Sequence, residues 1–389
     1  MTTTTKLAAR ADAIAPFEVV QVMERAWELE RQGGPPVIRL CVGEPDFGTP
    51  APVAARAQAH IAEGQVAYTS SLGIPSLRRA IADHYGTRYG VDVPWQRVVV
   101  TTGASGALIL ALAALVDPGD RVLLTDPGYP CNRSFVRLFE GEPVGVPVDE
   151  ETLWQLTAEL VDEHWDDRTR AALVATPANP TGTAVAADEV GRIGAEVADR
   201  GGTFVVDEIY AELTYDGPPR TALAVAPEAV IVNSFSKTWG MTGWRLGWLV
   251  LPEWLLEPVE RLAQNLYISP PGPSQFGALA CFTPEVHDEV DRRVGVLSER
   301  RDLLVAGLRE LGFDVPVVPT GAFYVYAGCG SFGDARSVSD RLLREARVAV
   351  TPGTDFGSHR ATEHLRFSYC VDAAQITEAL DRMATVLVR

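Results

Sequence analysis

Residues 97–125 read RVVVTTGASGALILALAALVDPGDRVLLT. Two short β-branched runs, 97–101 and 121–125, flank a stretch of Ala, Leu and Ile at 104–116 that suits a buried helix. Gly103-Ala104-Ser105 opens the helix and Asp117-Pro118-Gly119 ends it in a turn. Apolar strand, apolar helix and apolar strand in succession form the unit of a mostly parallel sheet covered on both faces.

The alternation continues along the chain. Residues 143–148 read as a weaker strand, and 171–176 (AALVAT) as another running into Pro177. Residues 188–200 read as a helix stopped by Gly201-Gly202. Residues 204–207 (FVVD) and 230–234 (VIVNS) are strands ending on polar residues, and 245–251 (RLGWLVL) closes the series. From Pro284 the pattern changes. A long charged amphipathic helix (285–311) precedes short strands at 314–318, 322–327, 348–351 and 364–369 and a last helix at 372–388. This predicts a smaller α+β domain. A helix near 17–32 and the loop 41–50 are expected to pack with it across the cleft. The expected division is 1–50 (N-terminal arm and part of the small domain), 51–283 (large α/β domain) and 284–389 (small domain).

Composition narrows the function. The 389 residues carry 34 Lys+Arg against 51 Asp+Glu, a net charge of −17. Such a chain has no general attraction for nucleic acid or anionic membrane. The apolar run at 104–116 is shorter than the ~18 residues of a membrane span. The Thr- and Ala-rich N-terminus lacks the apolar core of a secretory signal. Five cysteines (41, 131, 281, 329, 370) form no CxxC pair and read as reduced thiols of a cytoplasmic protein. Six histidines form neither HxH nor HExxH, so no protein-bound metal is indicated.

In open sheets, ligands bind outside the carboxyl ends of the strands. The residues just past those ends are therefore the candidates. They include Gly103-Ala104-Ser105, Tyr129, Asn179, Asp207 and the segment SFSKTWGMTGWR at 234–245. A lysine just past a buried strand, flanked by hydroxyls and followed by an arginine, suits two tasks. Lys237 can form a Schiff base with a carbonyl cofactor, while Ser234, Ser236 and Arg245 bind a phosphate. Taken singly, Lys237 also fits a solvated loop, Asp207 a helix cap, and Asn179-Pro180 an ordinary turn. The segment GASGAL is not GxGxxG, which argues against a nicotinamide dehydrogenase.

The chain resembles the class I/II aminotransferases, the fold-type I enzymes of pyridoxal 5′-phosphate. The resemblance rests on six stretches in order: VGEPDF (42–47), Tyr68-Thr69…Gly73…Leu77-Arg78, PANPTG (177–182), DEIY (207–210), SFSKTWGMTGWRLG (234–247) and LRFS (365–368). It implies a large domain with a mostly parallel seven-stranded sheet between helices, plus a smaller α+β domain. It assigns Lys237 as the residue that holds the cofactor and moves protons, and Asp207 as the partner of the pyridinium nitrogen. Tyr210 and Asn179 become donors to the phenolic oxygen, and Tyr129 the stacking aromatic. Ala104, Ser105, Ser234, Ser236 and Arg245 become the phosphate site. Gly43, Asn179 and Arg366 become the grip on the substrate carboxylate. Tyr68 would reach a neighbouring subunit's phosphate, which implies a homodimer. Tyr324 and Phe356 are candidate pocket walls, or core.

The implied reaction moves an amino group between an L-amino acid and a 2-oxo acid. The same fold also supports lyases and decarboxylases, and related domains serve as non-catalytic sensors. Residues 267–276 (YISPPGPSQF), near where some relatives carry an arginine for a distal carboxylate, hold no cation. This favours a neutral or aromatic amino acid.

Overall fold

The computed structural model describes residues 7–64 and 66–387. Residues 1–6 of the N-terminus and Val388, where the final helix was expected to end, lie outside the described residues. A short strand, β1 (Ile38–Arg39), precedes the strands of the large sheet. These are β2 (Val98–Thr101), β3 (Arg121–Asp126), β4 (Glu142–Pro147), β5 (Thr169–Ala175), β6 (Thr203–Asp207), β7 (Val230–Ser234) and β8 (Gly247–Val250). Their spatial order is β2-β8-β7-β6-β5-β3-β4. β8 runs antiparallel to both β2 and β7, and the other pairings are parallel. The mostly parallel seven-stranded sheet is thus present. β2 and β3, neighbours in sequence, stand at distant positions in it.

Side chains alternate across the strands with a period of two. Val99, Leu124, Leu173, Val205 and Val232 face one apolar layer, and Val100, Leu123, Val174, Val206 and Ile231 face the other. Two helices border the cavity between the domains: α1 (Glu18–Arg31) and α2 (Gly103–Leu115). α2 is apolar nearly all round because it lies between the sheet and the helix Glu253–Leu266, whose Leu255, Val259 and Ala263 pack in the same layer. α1 buries Val22 and Ala26 against Val37, Cys41, Leu343 and Ala349, and so belongs with the C-terminal part of the chain.

The smaller domain carries β9 (Tyr324–Gly328), β10 (Val348–Ala349), β11 (Thr351–Pro352) and β12 (His364–Ser368). β11-β12-β9 form an antiparallel sheet, and β10 pairs with β1 in parallel. The expected strand at 314–318 reduces to one bridge, Asp314 with Gly328. Pro316 and Pro319 supply no N–H to a ladder. The expected strand at 348–351 divides at Val350, where the chain changes partner from β1 to β12. The expected strand at 245–251 begins later, at Gly247, because Arg245 has a left-handed φ of 51°. The helix α3 (Pro284–Leu311) joins the two cores: Val286 and Val290 pack in the large one, Leu297, Leu304 and Leu308 in the small one. The last helix, α4 (Ala373–Leu387), packs on α3. Among the described residues, no helix is long and apolar enough to cross a membrane.

The rim of the large sheet grips a small-domain loop. Buried Asp126, ending β3, accepts Ser358 N at 2.9 Å, Ser358 Oγ at 2.7 Å and His359 N at 3.2 Å. Gly357 lies so close that a Cβ there would stand 1.6 Å from Asp126 Oδ1. Gly128 N and Arg133 Nη1 both donate to Phe356 O at 2.9 Å. Asp126→Ala leaves the Ser358 and His359 donors without their acceptor. It should lower stability by about 1–3 kcal/mol, seen as a lower thermal midpoint. An unchanged midpoint would show that the grip contributes nothing.

Candidate active site

The carboxyl ends of β5, β6 and β7 and the N-terminus of α2 open into one cavity of about 390 Å³ between the domains. Among the predicted residues, Gly43, Ala104, Ser105, Tyr129, Asn179, Asp207, Tyr210, Ser236, Lys237, Arg245, Tyr324 and Arg366 line it.

Asp207 ends β6 and is buried. Its Oδ1 accepts Ile209 N at 3.1 Å. Desolvation pushes its carboxyl up to about 6, against the pull of that N–H and of Lys237. Among the described residues this carboxyl has no ion-pair partner, which suits a cationic group entering the cavity. Lys237 lies three residues past β7, and its Nζ donates to Gly43 O at 2.7 Å. Burial lowers its pKa, with Cys370 and Glu44 opposing. A lowered pKa makes the neutral, nucleophilic amine more available.

A second cluster suits an anion. The first N–H groups of α2 have no acceptor within the helix. Ser105, Ser236 and Arg245 stand with them at the cavity wall. A Cβ on Gly103 would come 2.7 Å from Arg245 Nη2, and one on Gly247 would come 2.8 Å from Ala104 N. Only glycines allow the guanidinium and the helix start to approach this closely. Ser234 stands behind this cluster, fully buried. Its Oγ donates to Leu246 O at 3.0 Å, lies 2.8 Å from Ser236 Oγ and accepts Ser236 N at 3.0 Å.

Arg366, on β12, is buried at 2% exposure. Its Nη1 donates to Asn179 Oδ1 at 2.8 Å and its Nη2 to Cys41 O at 2.6 Å. The guanidinium carbon lies 4.3 Å from the Tyr324 ring centre and 4.7 Å from that of Phe356. Phe356 is fully buried and supports Arg366 from behind, whereas Tyr324 reaches the cavity. Tyr210 OH and Tyr324 OH lie 3.1 Å apart.

Tyr68 is not brought to this cavity; it is 80% exposed. The cation-free segment 267–276 is not there either. It packs beside Tyr68, with Ser269 Oγ accepting Thr69 N at 3.4 Å and Gln275 Nε2 donating to Thr69 Oγ1 at 2.9 Å. Sequence reasoning missed one wall. Phe17 and the α1 residues Val20, Met23 and Trp27 line the cavity. The i, i+3, i+7 spacing of the latter three was a signal of a second apolar face on α1, distinct from the Val22–Ala26 face.

A family profile described as "Aminotransferase class I and II" matches residues 35–383. The chain is 40% identical over 387 residues to the valine–pyruvate aminotransferase of Mycobacterium tuberculosis, covering 99% of each. It is 34% identical to the aspartate/prephenate aminotransferase of Thermus thermophilus, covering 98% of this chain and 99% of that one. Its fold is similar to the crystal structure of an aminotransferase from Mycobacterium tuberculosis, with a TM-score of 0.95 at 40% identity over 99% of this chain and 100% of that one.

Burial of Asp207 has a measurable sign. Its carboxyl keeps its proton up to about 6 in the folded chain, higher than the ordinary aspartate value of 3.8. The native state is then the better proton binder between those values, and stability falls as pH rises through them. The full penalty, about 3 kcal/mol, applies above the upper value. In cofactor-depleted protein, Asp207→Asn should therefore raise the thermal midpoint at pH 7.5 and have little effect near pH 4. A pH-independent difference would contradict the desolvation account.

Proposed function

Because the chain belongs to the class I and II aminotransferase family, we propose that this cavity is where it carries out its reaction. The protein is a pyridoxal 5′-phosphate enzyme that moves an amino group between an amino acid and a 2-oxo acid through a lysine. One observation supports the assignment to this cavity: a lysine amine of lowered pKa opens into the same space as an unpaired buried carboxyl and a buried arginine.

The residues fit the cofactor by their chemistry. The N-terminus of α2, Ser105, Ser236 and Arg245 suit its phosphate, with Ser234 holding Ser236 in place. Asp207 suits the pyridinium nitrogen, Tyr129 the ring face, and Tyr210 and Asn179 the phenolic oxygen. When bound, pyridoxal phosphate supplies a carbonyl for the amine and an electron sink that acidifies the substrate Cα proton. Lys237 Nζ would hold the group covalently and, when free, would take the Cα proton as general base and deliver it as general acid to the carbon that began as the cofactor's carbonyl, not back to Cα. Asp207 would keep the nitrogen of a bound ring protonated. Arg366, with Gly43 and Asn179, fixes the α-carboxylate so that the Cα–H bond is held near Lys237.

We further propose a neutral or aromatic amino acid as donor. The cations lining the cavity are Lys237, Arg245 and Arg366, each with an assigned task, while Phe17, Val20, Met23 and Trp27 present apolar surface. A distal carboxylate there would lie desolvated without a counter-charge. The 40% identical relative, a valine–pyruvate aminotransferase, is in keeping with this. The active unit is proposed to be a homodimer in which Tyr68 reaches the partner's phosphate site. Tyr68 stands out with exposed Val66, Leu266 and Ile268 beside it in the sequence or across the Thr69–Gln275 contact, and an open cleft lined by Thr242, Trp244 and Arg245 adjoins the phosphate cluster. The five cysteines without disulfides favour the cytoplasm. The division at 1–50, 51–283 and 284–389 is retained as a proposal.

Purified protein should show a visible absorption band that an amino donor bleaches. Lys237→Ala should remove both the shift and turnover. An alanine variant of full activity would refute the role of Lys237. In a donor panel with pyruvate and 2-oxoglutarate as acceptors, kcat/KM for branched or aromatic donors should exceed that for aspartate at least about tenfold. Preference for aspartate would overturn the neutral-substrate reading.

A further inference from the structure

Residues 40–49 form a strap across the seam between the domains. Leu40 O accepts Ser368 N at 2.7 Å, and Cys41 O accepts Arg366 Nη2 at 2.6 Å. Gly43 O accepts Lys237 Nζ at 2.7 Å, and Glu44 bonds Thr242. Thr49 Oγ1 donates to Gly240 O at 2.8 Å. One short segment thus supplies carbonyls to both Lys237 and Arg366.

Gly43 has almost no freedom of position. A Cβ there would lie 1.9 Å from Tyr324 OH, so the peptide rests directly on that hydroxyl. Among the described residues, no protein acceptor takes the Gly43 N–H. An unclaimed donor at the wall of the cavity that also holds Arg366 is a second contact for a carboxylate.

A fork three residues on ties the strap to the helix behind it. Arg300 Nη1 and Nη2 donate to Asp46 Oδ1 and Oδ2 at 2.8 and 2.9 Å, while Asp46 N donates to Cys370 O at 3.0 Å. Arg300 is buried on α3, the helix shared by both cores, and also lies 5.1 Å over the Phe47 ring. Its Nε is buried without a partner, and Asp46 reaches water. Removing Asp46 would leave the buried guanidinium short of a counter-charge and would cost stability. A bidentate fork also adds geometry, because it fixes direction as well as distance.

We infer that Arg300, acting through Asp46, is a positioning residue for the substrate α-carboxylate: it anchors the strap to α3 and so aligns the Gly43 N–H with Arg366. This rests on the reading that Gly43 and Arg366 hold that carboxylate. Neither Arg300 nor Asp46 lines the cavity.

The test uses the holoenzyme with Asp46→Asn, Arg300→Lys and Arg300→Met. Each should raise KM for the amino donor about tenfold while kcat changes by less than about threefold. Bleaching of the visible band by a primary amine without a carboxylate should proceed at the wild-type rate. Arg300→Lys keeps the charge but loses the fork, so it should resemble Arg300→Met. If Arg300→Met does not fold, the other two variants carry the test. A lower thermal midpoint with unchanged KM would overturn the proposal and leave the pair a structural tie. Equal losses with amino acid and amine would overturn it too. Failure of wild-type protein to transaminate any amino acid would instead refute the functional reading beneath it.

Discussion

The guanidinium of Arg366 is the point around which the two domains are assembled. A full charge removed from water must be met on every side by dipoles or by polarisable faces. Here the polar partners are Asn179, from the large domain, the Cys41 carbonyl, from the strap, and at 3.4 Å the Thr351 hydroxyl, from β11. The rings are Tyr324 and Phe356, from two separate parts of the small domain. Phe356 is in turn held by Gly128 and Arg133 at the rim of the large sheet. Thr351 and Phe356 apart, these segments are distant from one another along the chain, and the seam closes where their demands coincide.

The same logic separates the surface of this protein from its chemistry. The chain carries an excess of 17 negative charges, yet the groups facing the cavity are arranged by sign and position. Arg245 stands at the start of α2, Lys237 in the middle, and Arg366 at the small-domain side, with Asp207 as the acid on the floor. Lys237 pulls the Asp207 carboxyl down, yet among the described residues the two form no ion pair. Each therefore stays available to a bound molecule.

Much of this was legible in advance, for identifiable reasons. Parallel strands buried on both faces read as unbroken β-branched runs, so the large sheet could be found from runs such as FVVD and VIVNS. The residues just past those runs are the ones that reach the cavity. Less could be read where the chain meets distant neighbours. Two prolines made an apolar stretch at 314–318 useless as a ladder. Ser234 and Ser236 are chemically alike, and only the turn after β7 places one at the cavity and the other behind it. The apolar residues of α1 carry two faces, and periodicity alone cannot tell a face that meets a core from one that meets a ligand. Asp46 was quoted for its motif, but its partner Arg300 lies 254 residues away.

The reversed strand β8 has a consequence for the order in which the molecule is made. Because β7 and β8 are neighbours in both sequence and sheet, residues 235–246 leave the rim and return to it within a single short loop. Ser236, Lys237 and Arg245 therefore depend on a local pairing, of low contact order, whereas the parallel pairs made by β5, β6 and β7 and the strap close longer loops. A nascent chain can therefore shape the segment proposed to hold the cofactor well before residues 364–368 emerge to add Arg366. On our proposal, the cofactor's half of the site takes shape early, and the substrate's half waits for the C-terminus.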